Sequence, residues 1–270
     1  MDILSLIGFF AGFACVLTAI TLDGGSIAAL LQVSAFIIVV GGTTAAVLLQ
    51  SPLPVFLRAL RMLIWVFLPP KDDRAQLLEE ILGWLRIIRR QFVLALDPIA
   101  DEQKDPFIRH GLRLVVDGIE APHIRTILET AIGAQEHEEM LSAEIYEAMG
   151  GYAPTVGILG AVLGLITVMS HLDDPSKLGS GIATAFVATV YGVASANLIC
   201  LPIANKLKVL VRRRMRRLEM ITEGMVGLAI MEPPMQFEMR LRGFLDEAKA
   251  PERHAGGDEE PAQPQATAAE

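Results

Sequence analysis

Four stretches of this sequence run for 18 residues or more without a single Asp, Glu, Lys or Arg: Ile3–Ile20, Val33–Gln50, Ala153–Ser170 and Ile182–Ile203. About 20 apolar residues suffice to carry a helix across a bilayer, where the backbone must satisfy its own hydrogen bonds. Each stretch therefore predicts a membrane-spanning helix. The fold class that follows is all-α integral membrane: four transmembrane helices, a large helical cytoplasmic loop and a helical cytoplasmic C-terminal segment. Composition agrees, with 52% hydrophobic residues and a mean hydropathy of +0.46, more than a water-soluble domain of 270 residues collects. The chain opens Met1-Asp2 with neither a basic flank nor a small-residue cleavage site, so the first run reads as a retained span rather than a signal peptide.

Basic residues set the orientation. Residues 51–149 hold 11 Lys and Arg and residues 204–270 another 11, whereas the connectors 21–32 and 171–181 hold only Lys177. By the positive-inside rule the large loop, the tail and both termini are cytoplasmic. The chain divides into helices one and two (1–50), a cytoplasmic helical loop (51–149), helices three and four (150–204), a cytoplasmic helical extension (205–248) and a tail (249–270). That tail, "APERHAGGDEEPAQPQATAAE" from Ala250, has almost no apolar content and is expected to be disordered.

Within the loop, "VFLRALRMLIWVFLPP" (Val55–Pro70) carries Arg58 and Arg61 one turn apart and reads as an interfacial amphipathic helix. In "RAQLLEEILGWLRIIRRQFVLAL" (Arg74–Leu96), Leu77, Ile81, Leu85, Ile88 and Phe92 recur at helical spacing, with Glu79, Arg86 and Arg90 on the opposite face. Pro122 suits the first turn of a long helix through Ile127 and Met140 to Met149. The fourth span is expected to continue inward until Pro233-Pro234 stop it.

Enzyme signatures are absent: there is no P-loop, GxSxG, HExxH or paired-cysteine motif, which argues against an ATP-driven transporter or a membrane hydrolase. The five histidines are scattered without ligand spacing and read as surface residues, and Cys15 and Cys200 read as small buried hydrophobes. No metal, cofactor or nucleic-acid partner is implied. Ion-moving proteins ordinarily keep an ionisable group inside the bilayer, and these spans offer none. Either the chain moves no ion, or a partner brings the acid and this chain builds the wall around it.

The third and fourth spans carry small-residue ridges, Gly157/Gly160/Gly164 and Ala188/Gly192/Ala196. Such ridges let helix backbones approach closely in lipid; they serve either the wall around a partner or the joining of this chain's own helices. Thr184 and Thr189 place hydroxyls where lipid has no partner, though a threonine can also bond its own helix. Pro154 and Pro202 each cost a backbone hydrogen bond near opposite ends of the paired spans, as hinge or as terminus.

"GGYAPTVGILGAVLGLI" followed by "DDPSKLGSGIATAFVATVYGVASANLICLPIANKL" closely resembles the MotA/PomA family of flagellar stator proteins, and looks most like its MotC-type branch. "DGGSIAALL", "IIVVGGTTAAVLLQSP" and "DPFIRHGLRLVVDG" extend the resemblance over residues 1 to about 248. It implies a homo-pentameric ring in the inner membrane around a dimer of a MotB-like, peptidoglycan-binding partner whose single span carries an aspartate. Ion flow, with protons as the ion, would turn the ring against a FliG-like rotor switch protein. By match to the family, Thr189 faces the partner's aspartate, and Pro154 and Pro202 take part in the conformational change. Sodium-driven relatives tend to carry threonines where this chain has Ala161 and Ala188; without those oxygens a proton is favoured. The family's rotor-contacting pair fits Arg89 and Asp97, eight positions apart, with Arg90 beside; the usual glutamate is here the shorter Asp97-Pro98. The cluster "RRRMRR" (Arg212–Arg217) reads as a lipid-headgroup or helix-surface feature. An ExbB/TolQ-like energiser of outer-membrane processes is the nearest alternative, and a passive scaffold another.

Overall fold

The computed structural model describes residues 3–22, 24, 27–171, 173 and 175–246. The predicted tail from Ala250 lies outside the described residues. All regular structure among the described residues is helical. Among the described residues, four helices are long and apolar enough to cross a membrane. The first is α1 (Ile3–Leu22). The second is α2 (Val33–Phe36), which passes through a π-helical turn (Ile37–Gly41) into α3 (Gly42–Gln50).

Two continuous helices form the frame. α8 (Ala121–Met169) is 49 residues long, about 73 Å. It joins the helix predicted from Pro122 to the third span without a break, running on through Gly150 and Pro154. Its antiparallel neighbour is α9 (Pro175–Ala194), a π-helical turn (Ser195–Cys200) and α10 (Leu201–Ala229). The widened turn lies just before Pro202, which lacks the N–H that the Leu198 carbonyl would use. Widening relieves the clash of ring against carbonyl.

Beyond the spans, α4 (Leu53–Phe67), α5 (Arg74–Gln91), α7 (Pro106–Val116) and α11 (Pro234–Asp246) pack on the polar halves of α8 and α10, and the short α6 (Asp97–Glu102) packs on α7. Their shared core includes Ile81, Leu85, Leu112, Leu128, Ile221 and Met225, all fully buried. Gly224 and Gly227 admit Ile81 and Phe237 at contacts that a Cβ would block.

Three expectations change here. The helix predicted over Arg74–Leu96 stops at Gln91. Phe92 has φ 66° and is 78% exposed rather than core, because Val93–Leu96 form a 3-10 turn that buries Leu96 completely. The helix over 55–70 uses Ala59, Met62 and Val66 to pack on the domain, and the Tyr146 hydroxyl donates to the Ala59 carbonyl at 3.0 Å. It is thus bound to protein along one face, leaving Leu53, Leu57, Leu60 and Ile64 exposed on another. α10 ends at Ala229, four residues before the prolines, with Met231 at φ 51° turning the chain into α11.

Candidate functional site

The close packing promised by the glycines of the third span is supplied by the chain's own fourth span. Gly157, Gly160 and Gly164 are buried, as are Ala188, Gly192 and Ala196. A Cβ on Gly157 would stand 2.9 Å from the Ala188 carbonyl oxygen and 3.2 Å from the Gly192 Cα. One on Gly164 would stand 2.8 Å from the Ala185 nitrogen, and Gly160 meets the Ala188 methyl and Ile38 of the second span. Backbones at such separation gain dispersion contacts along their whole length, which is what holds helices together in lipid. Both ridges are therefore consumed within the chain. The opposite faces, with Ile158, Leu159 and Val162 on α8 and Ile182, Phe186 and Val190 on α9, are exposed.

Thr189 lies half-buried beside this seam, and its hydroxyl donates to the Ala185 carbonyl at 3.3 Å. That long bond leaves its oxygen lone pairs available to a donor on the open side. Thr184 donates to the Ser180 carbonyl at 3.0 Å and lies 3.4 Å from the Ser34 hydroxyl of the second span. Ala161 is half-buried and Ala188 fully buried, and neither methyl side chain carries an oxygen.

The two prolines, predicted near opposite ends of the paired spans, lie at the same end because the spans are antiparallel. A Cβ on Gly150, one turn before Pro154, would collide with Leu201, the residue before Pro202. Pro154 is half-buried against Gly192, and Pro202 is exposed. Both interruptions of the helical ladder thus lie toward the same end of the pair, with Pro154 beside Gly192, ten residues or about 15 Å of helix before Pro202.

At the far end of the domain, Arg89 and Arg90 occupy the exposed last turn of α5, and Asp97 is the exposed first residue of α6. The Arg89 guanidinium donates to the carbonyls of Met231 (3.4 Å) and Glu232 (3.2 Å). Arg89 and Asp97 are joined by no hydrogen bond or ion pair among the described residues. In the cluster at Arg212–Arg217, expected at lipid headgroups or on the helix surface, Arg212, Arg213 and Arg216 are exposed, whereas Arg214 and Arg217 are half-buried and form an internal brace. Arg217 grips Asp73 through two bonds (2.6 and 3.0 Å) and reaches Asp105 at 2.7 Å, while Arg214 pairs with the buried Glu139 at 2.7 Å and lies over Trp65. The Arg217 contact holds the Asp73 carboxyl below its ordinary range. These carboxylate partners lie 75 to 144 residues away in sequence, too far for a local pattern to reveal them.

Sequence reasoning also missed Thr43, whose hydroxyl is buried in α3 without a partner. Its signal was the "GGTT" that follows an apolar run. Cys200 is buried as expected, whereas Cys15 is exposed along α1. Among the described residues no cluster of His, Cys, Asp and Glu could hold a metal ion.

Fold and site together define a polytopic helical membrane protein in which a close-packed pair of spans runs on into a helical domain. Residues 6–91 match the motility protein A N-terminal family, and residues 99–220 match the MotA/TolQ/ExbB proton channel family. The chain is 33% identical over 249 residues to motility protein A of Bacillus subtilis (strain 168), covering 91% of each. It is 30% identical over 249 residues to chemotaxis protein PomA of Vibrio alginolyticus, covering 92% of this chain and 97% of that protein. In three dimensions it resembles a chain of the C. jejuni MotAB structure, with a TM-score of 0.85 and 26% identity over 94% of this chain and 100% of that one. It also resembles a chain of the flagellar MotAB stator complex from Bacillus subtilis, with a TM-score of 0.80 and 32% identity over 90% and 97%. The chain belongs to the MotA/TolQ/ExbB proton channel family and, within it, groups with the motility protein A relatives.

Proposed function

We propose that this chain is the ion-channel subunit of a flagellar motor stator. Copies of it form a ring of five in the bacterial inner membrane, with both termini in the cytoplasm, around a MotB-like dimer whose transmembrane aspartate carries the ion. The observation that carries this reading is the end-to-end likeness to motility protein A and to MotAB stator complexes, in a chain whose own spans hold no acid. A wall without a carboxylate needs a partner that supplies one. The exposed apolar faces of α8 and α9 are what such a partner, neighbouring copies and lipid would cover.

Residues then take roles. Thr189 faces the partner's aspartate, and Pro154 and Pro202, toward the same end of the seam, let the pair bend as that carboxylate gains and loses its proton. Removing a single charge is a local event able to bias such a two-state element. Ala161 and Ala188 leave too few oxygens to replace the water of a sodium ion, so the ion is the proton. Arg89, Arg90 and Asp97, at the end of the domain far from the spans, meet a FliG-like rotor protein. Exposed charge pairs contribute only about 0–1 kcal/mol, which suits a contact that forms and releases at each step. The placement in the MotC-type branch rests on the sequence motifs alone, and no reaction chemistry is assigned to the chain.

The test is tethered-cell rotation in a strain where this chain and its partner are the only stator. Rotation should ignore external sodium and stop with a protonophore. Rotation that continues when the gene is deleted would remove the stator reading and favour the ExbB/TolQ-like one.

A further inference from the structure

Two non-glycine residues among those described hold a positive φ, Phe92 at 66° and Met231 at 51°. Arg89 ties them together: three residues before Phe92, it donates to the carbonyls of Met231 and Glu232 across 142 and 143 positions of sequence. Phe92 also has ψ 168°, a combination at which glycine is at ease and an aromatic residue is strained. Burial does not explain why a ring is kept there. Phe92 is 78% exposed and Met231 45%, and their chain neighbours Leu94 (73%) and Ile230 (58%) are exposed as well.

Three arginines lie along this end of α5. Arg86, Arg89 and Arg90 make no ion pair among the described residues, whereas Arg113, Arg125, Arg214, Arg217 and Arg240 of the same domain each hold a carboxylate. Position excludes the bilayer as the cover. α10 runs 29 residues from Leu201 before the chain turns at Met231, placing the patch about 40 Å along the helix from the spans.

We propose that Phe92 and Met231 form the apolar centre, and Arg86 and Arg90 the cationic rim, of a docking patch for an acidic, amphipathic segment of the rotor switch protein. This rests on the stator reading above and adds to it. The contact is not a pair of surface charges alone but an apolar anchor ringed by them, the arrangement that concentrates binding energy in a few side chains. Arg89 has a positioning part as well: one guanidinium nitrogen donates to the Met231 and Glu232 carbonyls and ties the two turns together, and its remaining N–H groups are left for the rotor contact.

The experiment is site-specific photocrosslinking in motile cells, with p-benzoylphenylalanine in place of Phe92 in the full chain expressed with its partner. Mass spectrometry identifies the adduct. The expected product joins residue 92 to an acidic-apolar segment of the rotor switch protein. Adducts to a second copy of this chain or to lipid would overturn the proposal. In parallel, Phe92→Ala and the strain-relieving Phe92→Gly should both weaken recruitment of fluorescent stator units to motors by about tenfold, at unchanged membrane level and unchanged proton conduction. Arg89→Lys, which keeps one donor, should recover part of the recruitment that Arg89→Ala loses. Normal recruitment in both Phe92 variants refutes the patch. Absence of proton conduction in the wild-type complex refutes the stator reading instead.

Discussion

Gly192 of the fourth span lies against Pro154 of the third, so closely that a Cβ on the glycine would stand 3.2 Å from the proline Cα and 2.5 Å from the Ala153 carbonyl oxygen. The seam between the paired spans is therefore tightest at the point where the α8 ladder is interrupted. Overpacking a seam of this kind costs about 1–3 kcal/mol. Gly192→Ala is expected to push the spans apart and reduce both membrane level and motility. Gly151→Ala is the control, since nothing lies within 4 Å of a Cβ there. Equal swimming of the two variants would show that close approach is not required.

The Thr189 hydroxyl spends its proton on its own helix, at a long 3.3 Å from the Ala185 carbonyl. Valine has nearly the same shape, so Thr189→Val should leave assembly intact while abolishing proton conduction through the complex. Thr189→Ser should retain it. A conducting valine variant would detach this residue from the ion path.

Pro202 follows the widened turn at Ser195–Cys200. Pro202→Ala restores an N–H for the Leu198 carbonyl and allows an ordinary α-helical turn. The expected outcome is a protein present at normal or raised level with slowed or absent rotation, read by tethering. If rotation speed is unchanged at matched stator number, the widened turn is a structural accommodation only.

The Arg217 brace predicts an acid-sensitive domain. Asp73 is held below its ordinary 3.8 by the two Arg217 bonds. A carboxyl lowered on folding contributes stability above its unfolded value, and that stability is lost as pH falls through the lowered one. Asp72, lowered by Arg74, has the same sign. The unfolding temperature of the detergent-solubilised complex should therefore be flat from pH 7 to about 5 and fall below about 4. Asp73→Asn should lower stability by about 1–2 kcal/mol at neutral pH, less than for a fully buried pair because solvent screens a partly exposed carboxylate. An unchanged pH profile in Asp73→Asn would show that the brace does not carry the acid response.

The four spans were legible in the sequence because a bilayer selects on composition over about 20 residues, and each uncharged run became a helix. The long helix begun at Pro122 and the inward continuation of the fourth span were equally plain from local periodicity. The chain's membership in its family followed from ordered motifs. What only the tertiary structure decided was who faces whom. The glycine ridges could have served a partner, yet Ala188 and Gly192 of the same chain occupy them. The "RRRMRR" cluster read as surface, yet Arg217 and Arg214 are held by Asp73, Asp105 and Glu139. Phe92 fitted the apolar periodicity of α5, yet burial of Leu96 turns the chain back and leaves the ring outside. Local hydropathy determines whether a segment is a helix and whether it enters lipid. Pairing between segments far apart in sequence depends on which surfaces meet after the helices form, and no local window contains that.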